Sequence, residues 1–272
     1  MSHYALDNAA AQTADRFLAL ETCYDPVTRV HLAATGLGPG WNCLEVGGGG
    51  SVAAWLADQV APDGAVTVTD IAPQRLTAAP SPANLRILRH DIVRDPLPQD
   101  TYDLVHARLV LLHLPERLDV LAKLVRSLRP GGLLVLEEFD CRWTPVLAAP
   151  DPAAADLFHR VHDAFLNRLA HAGADLQWGS RTYQALRDAG LREVTATTFS
   201  QAWPGASPAI ALHRANTVQL RGELIDWGIT ERQLHDFWNL LDNPAFAVCS
   251  YPLTTARGRR APADPQEPRH AS

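Results

Sequence analysis

The chain is poor in cysteine, carries no excess of positive charge and has no long apolar run. Its four cysteines, Cys23, Cys43, Cys141 and Cys249, stand far apart, with no C-x-x-C pair and no histidine at zinc-finger spacing. That excludes a disulfide framework and a structural zinc site, and it predicts free thiols in a reducing compartment. The formal net charge is −6, which offers no field for a phosphate backbone and argues against nucleic acid as the main partner. No segment is apolar over the ~20 residues needed to cross a bilayer, and MSHYALDN lacks a basic, apolar leader. The expectation is a cytoplasmic protein with no membrane partner and no metal. At 272 residues and 47% apolar content, the chain is long enough for one α/β domain with an added cap.

The most informative stretch is NCLEVGGGGSV at 42–52. Cys43, Leu44 and Val46 suit a strand covered on both faces. The glycines then permit positive φ and let a ligand lie against bare backbone, where a helix N-terminus would meet it. A glycine cluster alone is as often a plain turn. VTVTD at 66–70 supplies a second strand ending in an acid about 20 residues past the loop, where doubly wound folds offer a carboxylate to ribose hydroxyls. Together the two signals point to a nucleotide-like ligand.

From residue 41 strands and helices alternate: strand 42–46, helix 51–60, strand 65–69, short helix 73–78, strand 85–89, strand 102–107, helix 115–128 with Leu118, Leu121, Leu124, Val125 and Leu128 inward, then a strand within 129–140. This predicts an α/β fold, a doubly wound and mostly parallel sheet with ligands at the strands' carboxyl ends. Asp70, Asp91, His106 to Arg108 and Glu137 to Asp140 fall there. Before it, residues 5–20 (Leu6, Phe17, Leu20) and 25–35 read as two helices, the second capped by Asp25-Pro26. After it come a proline-spaced connector at 144–152, a helix at 153–171 facing inward through Leu157, Val161, Phe165 and Leu169, a helix at 181–191, a strand at 192–203, helices over 207–241 and a strand at 245–258. The expected organisation is a helical cover (1–40), a nucleotide-binding core (41–140), lid helices with closing strands (141–258) and a disordered tail (259–272).

CLEVGGGG at 43–50, VTVTDIAPQRL at 66–76, DLVHARLVLLHLPER at 103–117 and LRPGGLLVLEEFD at 128–140 together resemble the class I S-adenosylmethionine-dependent methyltransferases, in particular the small-molecule type of bacterial secondary metabolism. The resemblance implies a seven-stranded sheet whose last strand is antiparallel, with helical lid insertions, and S-adenosylmethionine as cofactor. It implies that Glu45 with Gly47, Gly48 and Gly49 holds the methionine half, that Asp70 takes the ribose hydroxyls with Ile71 on the adenine, that Asp91 accepts from the adenine amino group with Ile92 on the ring, and that the backbone around Ala107 meets the cofactor's amino group. Ser51 stands where the family has its last glycine, and it can cap the helix that follows.

Methyl transfer from a sulfonium needs mainly positioning, and a base only for a poorly acidic acceptor. His113, and the pair His159 and His162 three apart on a helix, are the candidate catalytic residues, each with a structural alternative. Glu138 and Asp140 can steer an acceptor or simply shape a loop. His213, Arg214, Trp203, Trp227, Phe237 and Trp238 supply bulk that either stacks an acceptor or packs the lid, and Tyr4 and Arg16 sit where a cover would close. The sequence is compatible with a homodimer and a small-molecule substrate. Two other readings stay open: a protein that binds S-adenosylmethionine without transferring methyl, and an NAD(P)-dependent oxidoreductase. The G-x-G-x-x-G spacing of the latter is broken by Val52. A macromolecular methyltransferase is disfavoured because HARL stands where amino-group enzymes carry an (N/D)PP(Y/F) motif.

Overall fold

Strands buried on both faces need helices on both faces, and the computed structural model supplies them; it describes residues 13–48, 50–77 and 81–262. In chain order come α1 (Thr13–Ala33), β1 (Asn42–Val46), α2 (Gly50–Val60), β2 (Ala65–Asp70), α3 (Gln74–Thr77), β3 (Leu85–Arg89), β4 (Tyr102–Arg108), α4 (Arg117–Ser127) and β5 (Leu128–Phe139). There follow β6 (Val146–Ala148), α5 (Pro152–His171), α6 (Trp178–Asp188), β7 (Arg192–Phe199), β8 (Ala202–Pro204), α7 (Ala211–Gln219), α8 (Arg221–Asp226), α9 (Glu231–Leu241), β9 (Ala247–Cys249) and β10 (Leu253–Arg259).

The main sheet has seven strands in the order β3-β2-β1-β4-β5-β10-β7. The first five are parallel, and β10 runs antiparallel between β5 and β7. Alternate side chains leave on opposite faces. Leu44, Val105 and Leu134 therefore pack with α4 and α6, through Leu121 and Leu186. Cys43, Leu104 and Val135 pack on the other side with Leu56 of α2 and Leu32 of α1. Each fully buried leucine of this kind contributes roughly 1.5–3 kcal/mol. A third apolar cluster joins α1 to the lid helices α5, α7 and α9 through Tyr24, Phe158, Phe165, Leu212 and Phe237.

Several boundaries differ from the sequence expectations. The two leading helices are one, running through Pro26. Asp25 is therefore no N-cap; its carboxylate instead accepts from Arg108 Nη2 at 2.9 Å. Leu118 is 63% exposed, because a single 3₁₀ turn at Leu111–His113 delays α4 to Arg117 and turns Val120, Leu121 and Leu124 inward. The expected strand at 192–203 splits into β7 and β8, and that at 245–258 into β9 and β10. The short pieces join β6, from the presumed connector, in a second, antiparallel sheet, β6-β9-β8. At the breaks Ser250 Oγ accepts from Gln201 N at 3.0 Å, and Pro252 has no N–H to continue a ladder. Ser51 lies inside α2 and its hydroxyl caps nothing. Arg259 is still strand and Arg260 Nη1 reaches Asp100 Oδ1 at 2.5 Å, so the disorder expected from 259 does not hold for these two residues; residues 263–272, with Leu6 and Tyr4, lie outside the described residues.

Candidate active site

One cleft runs from the carboxyl ends of β1 to β4 to the underside of the lid. Its sheet end is lined by Glu45, Gly47, Asp70, Ile71, Asp91 and Ile92, with Arg108, Leu109 and Val110 after β4. The parallel register that aligns Glu45 with Val68 and Val46 with Thr69 brings these strand ends side by side. Its lid end is lined by Arg16, Phe17 and Leu20 of α1, Phe165 and Leu169 of α5, Leu212 and Asn216 of α7, and Phe139, Cys141, His113 and Tyr251.

Glycine is required at the floor. Gly47 has φ +66°, and a Cβ there would sit 2.5 Å from Val110 Cγ2; one at Gly48 would sit 2.7 Å from Glu45 Cγ. The Gly47 N–H is spent on Thr69 O at 2.7 Å, so that residue offers a ligand its carbonyl and bare Cα rather than its donor. Gly48 is buried behind the cleft wall and does not line it, and Gly49 lies outside the described residues. Asp70 Oδ1 accepts from Ala72 N at 2.6 Å, and Asp91 Oδ1 from Val93 N at 3.0 Å. These bonds hold both carboxylates at their turns, facing the cleft, where Ile71, Ile92 and Val93 offer apolar flanks. Ala107 itself is enclosed in the sheet opposite Val46 and Leu136, and its neighbours Arg108 and Leu109 reach the cleft.

Beneath Glu45 lies a charge cluster that the sequence did not signal. His106 is fully buried, its Nδ1 2.6 Å from Glu45 Oε2 and its Nε2 3.4 Å from Glu137 Oε2. Burial alone would lower its pKa, but the Glu45 and Glu137 charges reverse that and hold it near 9. Glu137 in turn is held below the usual carboxylate range, burial notwithstanding, by His106, Arg108 and Thr28. It also accepts from Thr255 Oγ1 at 2.7 Å and from Thr28 Oγ1. Arg108 joins Thr28 and Asp25, both on α1. The leading helix and strands β1, β4 and β5 are thus one ionic unit.

The candidate bases fare differently. His113 lines the cleft, but burial, and then the charges of Arg16 and Arg117, press its pKa down to about 3. It is a neutral imidazole and a weak base. His159 and His162 do not act as a pair: His159 is exposed on the outer side of α5, while His162 is buried and stacked on Phe158. Burial lowers His162 to about 3, and its Nε2 lies 2.8 Å from the Tyr251 hydroxyl. Neither lines the cleft, because the helix turns Phe165 and Leu169 toward it instead. Glu138 is buried and caps the 3₁₀ turn, accepting from Leu111 N at 2.8 Å; burial raises its pKa to about 8. Asp140 closes its own turn on Arg142 N. Trp203, Trp227, Phe237 and Trp238 are all off the cleft, as are His213 and Arg214, so its aromatic wall is Phe17, Phe139, Phe165 and Tyr251. Among the described residues no group of histidine, cysteine or acidic side chains could hold a metal ion.

Residues 44–136, the stretch holding this sheet end, match the family model described as a methyltransferase domain. That stretch of the chain is similar to a methyltransferase domain. Beyond it, methyltransferase str3 of Strobilurus tenacellus is 36% identical over 110 residues, 40% of this chain and 39% of that protein. The ubiquinone/menaquinone biosynthesis C-methyltransferase UbiE of Cupriavidus necator is 32% identical over 130 residues, 44% and 52% of the two. The chain thus spans about half the length, or less, of the curated relatives it matches. Among solved structures, the YcgJ protein of Bacillus subtilis superposes with TM-score 0.52 at 14% identity, covering 85% of this chain and 96% of that one. The Haemonchus contortus phosphoethanolamine N-methyltransferase 2, in complex with S-adenosylhomocysteine, does so with TM-score 0.53 at 11% identity, covering 92% and 58%. At these identities the likeness is one of fold alone.

The residues of the sheet end fit an adenosyl ligand such as the S-adenosylhomocysteine held by the Haemonchus contortus structure. The floor is a glycine with no room for a Cβ, two strand-end carboxylates face the cleft, and isoleucines lie beside each.

Proposed function

We propose that the chain transfers a methyl group from S-adenosylmethionine to a small, largely apolar acceptor. The observation that carries this is the continuity of the cleft: carboxylates and glycine at the sheet end, phenylalanines and leucines at the lid end, in one cavity. Asp70 and Asp91 would accept from ribose hydroxyls and the adenine amino group, with Ile71 and Ile92 against the ring. Glu45 would meet the methionine half with Oε1, because His106 occupies Oε2. The bound cofactor supplies a methyl group already activated on a sulfonium. The lid wall excludes water and orients the acceptor, and neutral His113 adds a polar edge without a charge. The net charge of −6 supports a small molecule over nucleic acid.

The relatives' names agree with a small-molecule acceptor. They include a ubiquinone/menaquinone C-methyltransferase and the 27-O-demethylrifamycin SV methyltransferase of Amycolatopsis mediterranei, 34% identical over 41% of this chain and 37% of that protein. The test is incubation with methyl-labelled S-adenosylmethionine and a panel of hydroxylated aromatics and quinols, with S-adenosylhomocysteine and product read by mass spectrometry. Label in a small acceptor is expected. Label appearing only in RNA or protein of an added extract, or cofactor bound without turnover across panel and extract, contradicts the reading.

A further inference from the structure

The lid end of the cleft holds a polar group that its own fold does not use. Asn216 is 6% exposed, lies inside α7 and lines the cleft, yet its Oδ1 has no hydrogen-bond partner. Asparagine is a poor choice for a helix interior, and a buried acceptor left unpaired is a standing cost to folding. Leu212, four residues earlier on the same helix face, lines the same cleft, so an apolar residue at 216 would complete that wall. Tyr251 and Arg108 are, by contrast, already engaged. The Tyr251 hydroxyl lies between His162 Nε2 at 2.8 Å and His213 Nδ1 at 3.4 Å. Arg108 is tied to Asp25 and Thr28.

The geometry points to Asn216 as the residue that selects the acceptor: its carboxamide oxygen accepts a hydrogen bond from a hydroxyl or N–H on a flat aromatic molecule lying against the phenylalanine and leucine wall. Aromatic walls suit flat rings. A wall with one unpaired acceptor discriminates by leaving that acceptor unpaired when the wrong molecule binds. This inference names the substrate class of the methyl-transfer reading and rests on it for what happens next, but the binding preference stands by itself.

Calorimetry with 1-naphthol and 1-methoxynaphthalene tests it, because the two share a ring system and differ in the donor. The intact chain is expected to bind 1-naphthol about ten- to a hundredfold more tightly. Asn216→Leu, nearly isosteric, is expected to bind both alike, and Asn216→Ala serves should the leucine variant fail to fold. Equal binding by the unaltered chain, a preference that survives either substitution, or failure of both probes to bind overturns the proposal. A separate titration with S-adenosylhomocysteine keeps the two readings apart. It should be unaffected by either variant, and its failure in the unaltered chain would sink the methyl-transfer reading while leaving the naphthol preference to decide Asn216.

Discussion

Replacing His106 with leucine removes the positive centre of the cluster joining Glu45, Glu137 and α1. Both imidazole nitrogens face carboxylates, and His106, Glu45 and Glu137 are all about fully buried. Taking one partner from a buried ionic group leaves the others uncompensated, which costs about 3–5 kcal/mol. The raised imidazole pKa leads to a similar figure. A rise from 6.5 to about 9, at ~1.4 kcal/mol per pH unit, corresponds to about 3 kcal/mol. The folded pKa lies above the unfolded one, so this stabilisation is complete below pH 6.5 and fades as pH rises through 9. Glu138, raised to about 8, also loses stability with rising pH, so the variant must be compared with the parent at each pH. Urea unfolding at pH 5, 7 and 9.5 is the assay. We expect the gap between parent and His106→Leu to be wide at pH 5 and pH 7 and to narrow at pH 9.5, where the parent's imidazolium is itself lost. A gap under about 1 kcal/mol at pH 7, or one independent of pH, would refute a charged His106.

Gly47→Ala combines left-handed backbone strain of ~1–2 kcal/mol with a Cβ driven into Val110; both thermal stability and S-adenosylhomocysteine affinity should fall, the latter by about tenfold or more, as read by calorimetry. His113→Gln should leave the pH profile of kcat/KM between 5 and 8 unchanged in shape and lower its height less than about tenfold, since a group held near 3 is not the general base, whose removal typically costs 10²–10⁴-fold. Asn216→Leu, besides losing selectivity, should raise the melting temperature of the ligand-free protein, because it replaces an unpaired buried oxygen by methyl groups.

What the sequence disclosed follows from how regular each part is. Strands β1, β2, β4 and β5 are buried on both faces, so their apolar runs announce themselves, and glycines and acids mark their ends. Asp70 and Asp91 were legible because a fixed topology delivers strand ends to one edge. The second sheet was not, since three-residue strands such as Val146–Ala148 and Ala247–Cys249 are too short to show a period. Pro26 read as a helix start because a proline favours the first turn; only packing on both sides of it, by Tyr24 and Leu32, carries the helix through. His106 looked like a strand-end group, and nothing local told that its partners lie on β1 and β5. Asn216 gave no signal beyond a polar residue four places after Leu212 on a helix face.

The central claim is that Asp70 and Asp91 face a cleft built for an adenosyl cofactor. Titration of the chain and of Asp70→Asn with S-adenosylhomocysteine and, separately, with NAD tests it most directly. The account predicts one S-adenosylhomocysteine bound per chain and an affinity about ten- to a hundredfold weaker in the variant, as expected when a carboxylate's charge-assisted hydrogen bonds are lost. Binding of NAD in place of S-adenosylhomocysteine, or an Asp70→Asn chain that binds it as tightly as the parent, would contradict it.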